Sequence, residues 1–205
     1  MEEINRESFK HSSFYHSFFR GWTEKKVPGP GGKGDRILRV YSEDYICPQN
    51  SRGREILGRA AYAVLTAAGC IFLGLASCSH LALNFAVCVE IPVFCSILSA
   101  LLTAVTVLLY LFRSRKMTLY EFESTSEKLG KRTLIAAFCT GAAAAASILY
   151  SAVYPGSFSG GAGMAILEYL LSAGMFGTIC FLEKKKPYVT SENANEIPQD
   201  GNEIW

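Results

Sequence analysis

VEIPVFCSILSALLTAVTVLLYLF, residues Val89–Phe112, runs directly into Arg113-Ser114-Arg115-Lys116. Only Glu90 and Pro92 interrupt its apolar and small residues, both at the front edge. Rising about 1.5 Å per residue, a helix of this length crosses the hydrocarbon core of a bilayer, about 30 Å thick. The basic cluster behind it marks the end expected to stay in the cytosol.

Working outward, three further apolar runs have the same character. The first span is expected at about Gly58–Ser77, the second at Val89–Phe112, the third at Arg132–Tyr154 and the fourth at Gly163–Leu182. The fold class is therefore an all-α polytopic membrane protein, four transmembrane helices arranged as two hairpins. The chain divides into an N-terminal segment (1–55), hairpin 1 (56–112), a loop (113–131), hairpin 2 (132–183) and a polar tail (184–205) expected to be disordered. No signal peptide is read at Met1-Glu2-Glu3-Ile4, so the first span is expected to act as its own insertion signal.

Charge placement sets the orientation. Eleven Lys and Arg precede or enter the first span, six lie between Arg113 and Arg132, and three follow as Lys184, Lys185 and Lys186; together they are all 20 in the chain. The loops between spans one and two and between three and four contain none. The positive-inside rule then places both termini in the cytosol, in a plasma-membrane protein with four crossings. The net charge of +2 is uninformative, since acids and bases nearly cancel. The partners expected are the lipid bilayer and other membrane proteins, as a homo- or hetero-oligomer, and not nucleic acid.

Before the first span, Phe14, Tyr15, Phe18, Phe19 and Trp22 recur at three- and four-residue spacing, one apolar stripe of a short amphipathic helix. Phe14, Phe18, Phe19 and Trp22 would anchor it at the headgroups, or would pack on a small cytosolic cap. Val27–Gly34 is rich in Gly and Pro. Its Lys33 is followed by Gly34-Asp35, so it does not meet the phosphate-loop pattern and reads as a hinge or turn. Arg36–Tyr41 has strand character, and Met117–Glu123 alternates with period two. The expectation is a small cytosolic β-sheet pairing Ile37–Tyr41 with Leu119–Phe122. Ser124-Thr125-Ser126-Glu127 reads as a capping box opening the helix into the third span.

Small-residue ladders mark helix-packing faces: Ser96, Ala100 and Ala104; Ala143, Ser147 and Ser151; Ala173 and Gly177. The alanine-rich third span is expected to be buried among the others or against a partner. Glu55–Arg59 and Glu127–Lys131 enter their spans alike, a faint internal echo. Of the seven cysteines most lie in apolar runs, with no C-x-x-C pair, which argues against zinc or redox chemistry. Cys78 and Cys88 bracket the first short loop, and their pairing is not legible from sequence.

The ionisable candidates are two carboxylates, Glu90 and Glu168. Glu90 lies at the outer end of a long span and can reach water. Glu168 falls inside the fourth span, where an ionised carboxylate costs at least about 2.5 kcal/mol. It is either a cation- or proton-coupling site or a structural group hydrogen-bonded to Ser172 or to Tyr150, Tyr154 or Tyr169. No row of polar residues reads as a pathway. His11, His16 and His80 fall on different sides of the membrane, so no catalytic set assembles. No enzyme activity, metal or cofactor is expected. The leading expectation is a non-enzymatic subunit or accessory factor of a larger membrane assembly; the alternative is a small oligomeric transporter or channel using Glu168.

Overall fold

The computed structural model describes residues 21–28, 35–79, 84, 86–155 and 160–191. Within these, four helices are long and apolar enough to cross a membrane. They are α1 (Arg52–Cys78), α2 (Val87–Phe112), α4 (Lys128–Val153) and α5 (Gly160–Lys184). A short helix α3 (Leu119–Phe122) and a π-helical turn over Glu123–Glu127 run without a break into α4. Four strands complete the order: β1 (Trp22–Pro28), β2 (Asp35–Tyr41), β3 (Tyr45–Pro48) and β4 (Tyr188–Ser191). The chain forms two compact units.

The larger unit, Pro48–Ser114 with Glu123–Pro187, holds the four long helices. Each packs on two neighbours around a ring: α1 on α2 and α5, and α4 on α2 and α5. Every helix buries one seam at alternating three- and four-residue steps. On α1 it is Glu55, Tyr62, Thr66, Gly69, Leu73 and Ala76. On α5 it is Ala162, Ala165, Tyr169, Ser172, Phe176, Ile179 and Glu183. Most of the buried residues are small or hydroxylated, whereas Ile71, Phe94, Leu101, Leu109, Phe138 and Leu149 are exposed. In water that distribution would be unstable. In lipid it is what packing demands, because tails solvate large aliphatics while small residues let backbones approach. The four apolar helices identify an integral membrane protein.

Hydroxyls fill this interior: Thr66, Ser96, Ser99, Thr103, Thr106, Thr133, Thr140, Ser147, Ser151 and Ser172 are all buried. The sequence did not read as containing a polar row; the row exists because the hydroxyls share the heptad seam. Most donate to a carbonyl of their own helix, as Thr103 does to Ser99 at 2.8 Å and Thr140 to Ala136 at 2.8 Å. Ser172 instead crosses to the Gly69 carbonyl of α1 at 2.8 Å. The alanine-rich third span is no more buried than its neighbours: its membrane-length window buries 33%, the same as α2 and α5.

The smaller unit contains residues 21–28, 35–47, 115–122 and 188–191 of the described chain. Here β1 pairs antiparallel with β2, from Trp22↔Tyr41 to Pro28↔Asp35, and β3 pairs with β4. Three expectations are corrected. Trp22 starts a strand and is not on a helix; Phe14, Phe18 and Phe19 lie outside the described residues. The partner of β2 is β1, so the Gly/Pro-rich stretch between them connects a hairpin. Leu119–Phe122 is a helical turn, not a strand, because a capping box sits earlier than expected. Thr118 N–H donates to Glu121 Oε2 at 3.0 Å, and Glu121 N–H donates back to Thr118 Oγ1 at 3.3 Å. Ser124–Glu127 is consequently inside the helical run and not at its start. Met117, just before it, exchanges two backbone hydrogen bonds with Ile46.

Tyr41 organises this unit. It is buried, touches Trp22 and Tyr45 edge-on or tilted, and its hydroxyl accepts the Leu119 N–H at 3.0 Å. Burial raises its pKa above the usual tyrosine value, partly offset by that N–H. Gly21 adopts φ +80, and a Cβ there would stand 2.8 Å from the Tyr41 ring, so the position requires glycine.

Candidate functional site

The heptad phases of α1 and α5 carry a carboxylate each into the basic end of the bundle. Glu55 is one turn into α1, and Glu183 is one residue from the end of α5. Both are buried, at 4% and 6% exposure. At bilayer depth such groups are expensive unless every oxygen is met.

Glu183 is met from two other helices, and Glu55 chiefly from its own. Glu183 Oε2 accepts the Tyr62 hydroxyl of α1 at 3.0 Å and the Tyr110 hydroxyl of α2 at 2.9 Å. The Tyr110 oxygen in turn accepts Lys186 Nζ at 2.7 Å. Burial lowers the Lys186 pKa below the ordinary lysine range, and Glu183 opposes that shift. Glu55 Oε1 pairs with Arg59 at 2.6 Å and lies 4.0 Å from Arg113. Arg59 Nη1 also donates to the Leu111 and Arg113 carbonyls at 3.0 and 2.9 Å. That satisfies two of the carbonyls at the C-terminal end of α2, where intrahelical donors run out. Arg113 stacks 3.8 Å over the Tyr110 ring and donates to Ser126 at the start of the third span. All four long helical runs are thus tied at one end.

One further cation lies deeper. Arg132 of α4 donates through Nη1 to the Leu102 carbonyl at 3.2 Å and to the Thr106 hydroxyl of α2.

The expected site residues are not brought together. Glu90 is exposed in the first turn of α2. Glu168 is partly buried in α5, and no described residue hydrogen-bonds or ion-pairs its carboxylate. The expected bond to Ser172 is not made, since Ser172 serves Gly69. Ser96, Ala100, Ala143 and Ser147 are buried on packed seams, whereas Ala104, Ala173 and Gly177 are only partly buried. The close approach on α5 is made against Gly69, where a Cβ would stand 3.2 Å from Phe176; nothing lies within 4 Å of a Cβ at Gly177. Cys78 and Cys88 are exposed and unpaired. Among the described residues no group of His, Cys, Asp and Glu could hold a metal ion.

Sequence reading missed Glu55 and Glu183 as buried groups, since each looks interfacial when counted by distance from a span's end. The signal was phase: each continues the seam of its helix. The echo between hairpins does recur structurally, because Glu127 and Lys131 form the same i,i+4 ion pair as Glu55 and Arg59. No family model, no curated protein and no solved structure matches the chain.

Proposed function

We propose that the chain is a non-enzymatic subunit or accessory factor of a larger membrane assembly, with its basic end and both termini on the cytosolic side of the plasma membrane. The observation that carries this reading is the bonding of Glu183 to Tyr62 and Tyr110, with Arg59 holding the end of α2. A transport site must exchange partners for its charge as it cycles. Here the buried charges at the basic end are consumed in fixing helix to helix, which suits a rigid membrane platform. Such a platform would present the strand pairs to a soluble component. The Lys and Arg distribution supports the orientation.

Glu168 supports a second reading. Its carboxylate has no partner among the described residues, which leaves it available to a cation on another subunit or to ion movement in an oligomeric transporter. A tagged full-length chain extracted in mild detergent and weighed intact by native mass spectrometry separates the two. The expected result is a stoichiometric second polypeptide whose retention falls in Glu168→Gln. A lone chain or homo-oligomer, with pH-dependent flux in reconstituted vesicles that Glu168→Gln abolishes, would show the transporter reading to be correct.

A further inference from the structure

Arg132 is a half-buried charged group where α4 meets α2, and its partners set its depth. Its two partners lie on α2, and Thr106 is seven residues inward of Arg113, roughly 10 Å along the axis. Only Nη1 is used there; Nε and Nη2 bond to no described residue and are not sealed from the surface. No carboxylate of the described chain pairs with it, in contrast to Arg59. A guanidinium facing lipid with open donors needs an anion brought to it. Lys128 lies one turn towards the basic end on the same face of α4, and it is exposed. Lys131, between them in sequence, is already paired to Glu127.

We propose that Arg132 and Lys128 bind the phosphate of an anionic phospholipid in the leaflet at the basic end. An acyl chain would lie along the exposed Leu102 of α2 and Ile135 of α4. The Nη1 bonds hold the guanidinium plane against α2 and leave Nε and Nη2 for phosphate oxygens, a geometry that arginine matches with two donors. Lys128 meets the headgroup nearer the interface, and basic recesses between membrane helices recognise anionic headgroups in this way. A zwitterionic lipid brings its own cation to a site that already holds two, so the net-negative lipid is preferred. A carboxylate from a partner helix would satisfy Arg132 but leaves Lys128 without a role.

The test uses the full-length protein in detergent, with dioleoylphosphatidylglycerol or dioleoylphosphatidylcholine added at equal concentration and bound lipid counted by native mass spectrometry. Wild type is expected to retain the phosphatidylglycerol selectively. Arg132→Gln should lower that affinity by about tenfold or more, since the charge and the paired donors are lost together, and Lys128→Gln should lower it less. Lys131→Gln makes the same change in charge beside the site and should match wild type. The proposal is overturned if wild type shows no preference, or if Lys131→Gln weakens binding as much as Arg132→Gln. Should Arg132→Gln fail to fold, Lys128→Gln against Lys131→Gln decides the matter: equal affinities count against the site.

Discussion

Glu183 joins three elements through one oxygen, because the hydroxyls of Tyr62 and Tyr110 both donate to Oε2. Tyr62→Phe or Tyr110→Phe should each lower bundle stability by about 0.6–1.7 kcal/mol, the range for polar contacts between membrane helices. The double substitution should depart from the sum, since each tyrosine compensates in part for loss of the other. Reversible unfolding of the detergent-solubilised protein measures both effects. Lys186 adds a pH dependence. Its folded pKa is lowered, first by burial, so below the ordinary lysine value there is an interval where the unfolded chain keeps a proton the folded chain has shed. Stability should rise with pH across that interval, and Lys186→Met should remove the rise. Melting temperatures measured as the pH climbs from neutral towards the ordinary lysine value would check it; an unchanged slope in the variant would count against the buried placement. Glu168 and Glu90 were legible from sequence as charges within or beside spans. Glu183 was not, because its burial depends on the register of α5 against α1 and α2, which no single helix encodes.

Helix ends and close approaches belong to the elements. The helix entering the third span starts at Leu119 because Thr118 and Glu121 cap each other. Period-two alternation over Met117–Glu123 concealed this, since a short apolar run fits either geometry. Similarly β1 carries Glu24, Lys25 and Lys26, so it offers no apolar face to reveal it, and its pairing to β2 is set by the hairpin. Glycine positions separate the small-residue ladders that pack from those that only look able to. At Gly69 a larger side chain meets the Phe176 ring, and the Ser172 bond to the Gly69 carbonyl depends on the same approach. Gly69→Leu should cost about 1–3 kcal/mol through overpacking. Gly177→Ala meets nothing and should be neutral or stabilising, given the helix preference for alanine of about 1 kcal/mol. Thermal denaturation of the two variants side by side provides the check. The reverse order of stability would mean that α5 turns its other face to α1.

At the scale of the molecule, the four spans and their approximate bounds were legible, because length and hydropathy are properties of each segment alone. The inside-out distribution was legible only in part. Small residues in the spans signalled close packing, but the ring of α1, α2, α4 and α5 and its hydroxyl-filled interior follow from how four seams combine. Orientation rests on the absence of Lys and Arg from the two loops at one end and their concentration at the other. The most direct measurement is single-cysteine labelling in an otherwise cysteine-free chain, with a membrane-impermeant maleimide on intact cells. Cysteines are placed at Ser79 and Gly160 at one end of the bundle and at Lys116 and Glu127 towards the other. Four crossings with both termini in the cytosol require Ser79→Cys and Gly160→Cys to label from outside, and Lys116→Cys and Glu127→Cys to label only after permeabilisation. External labelling of Lys116→Cys or Glu127→Cys in intact cells would contradict the account.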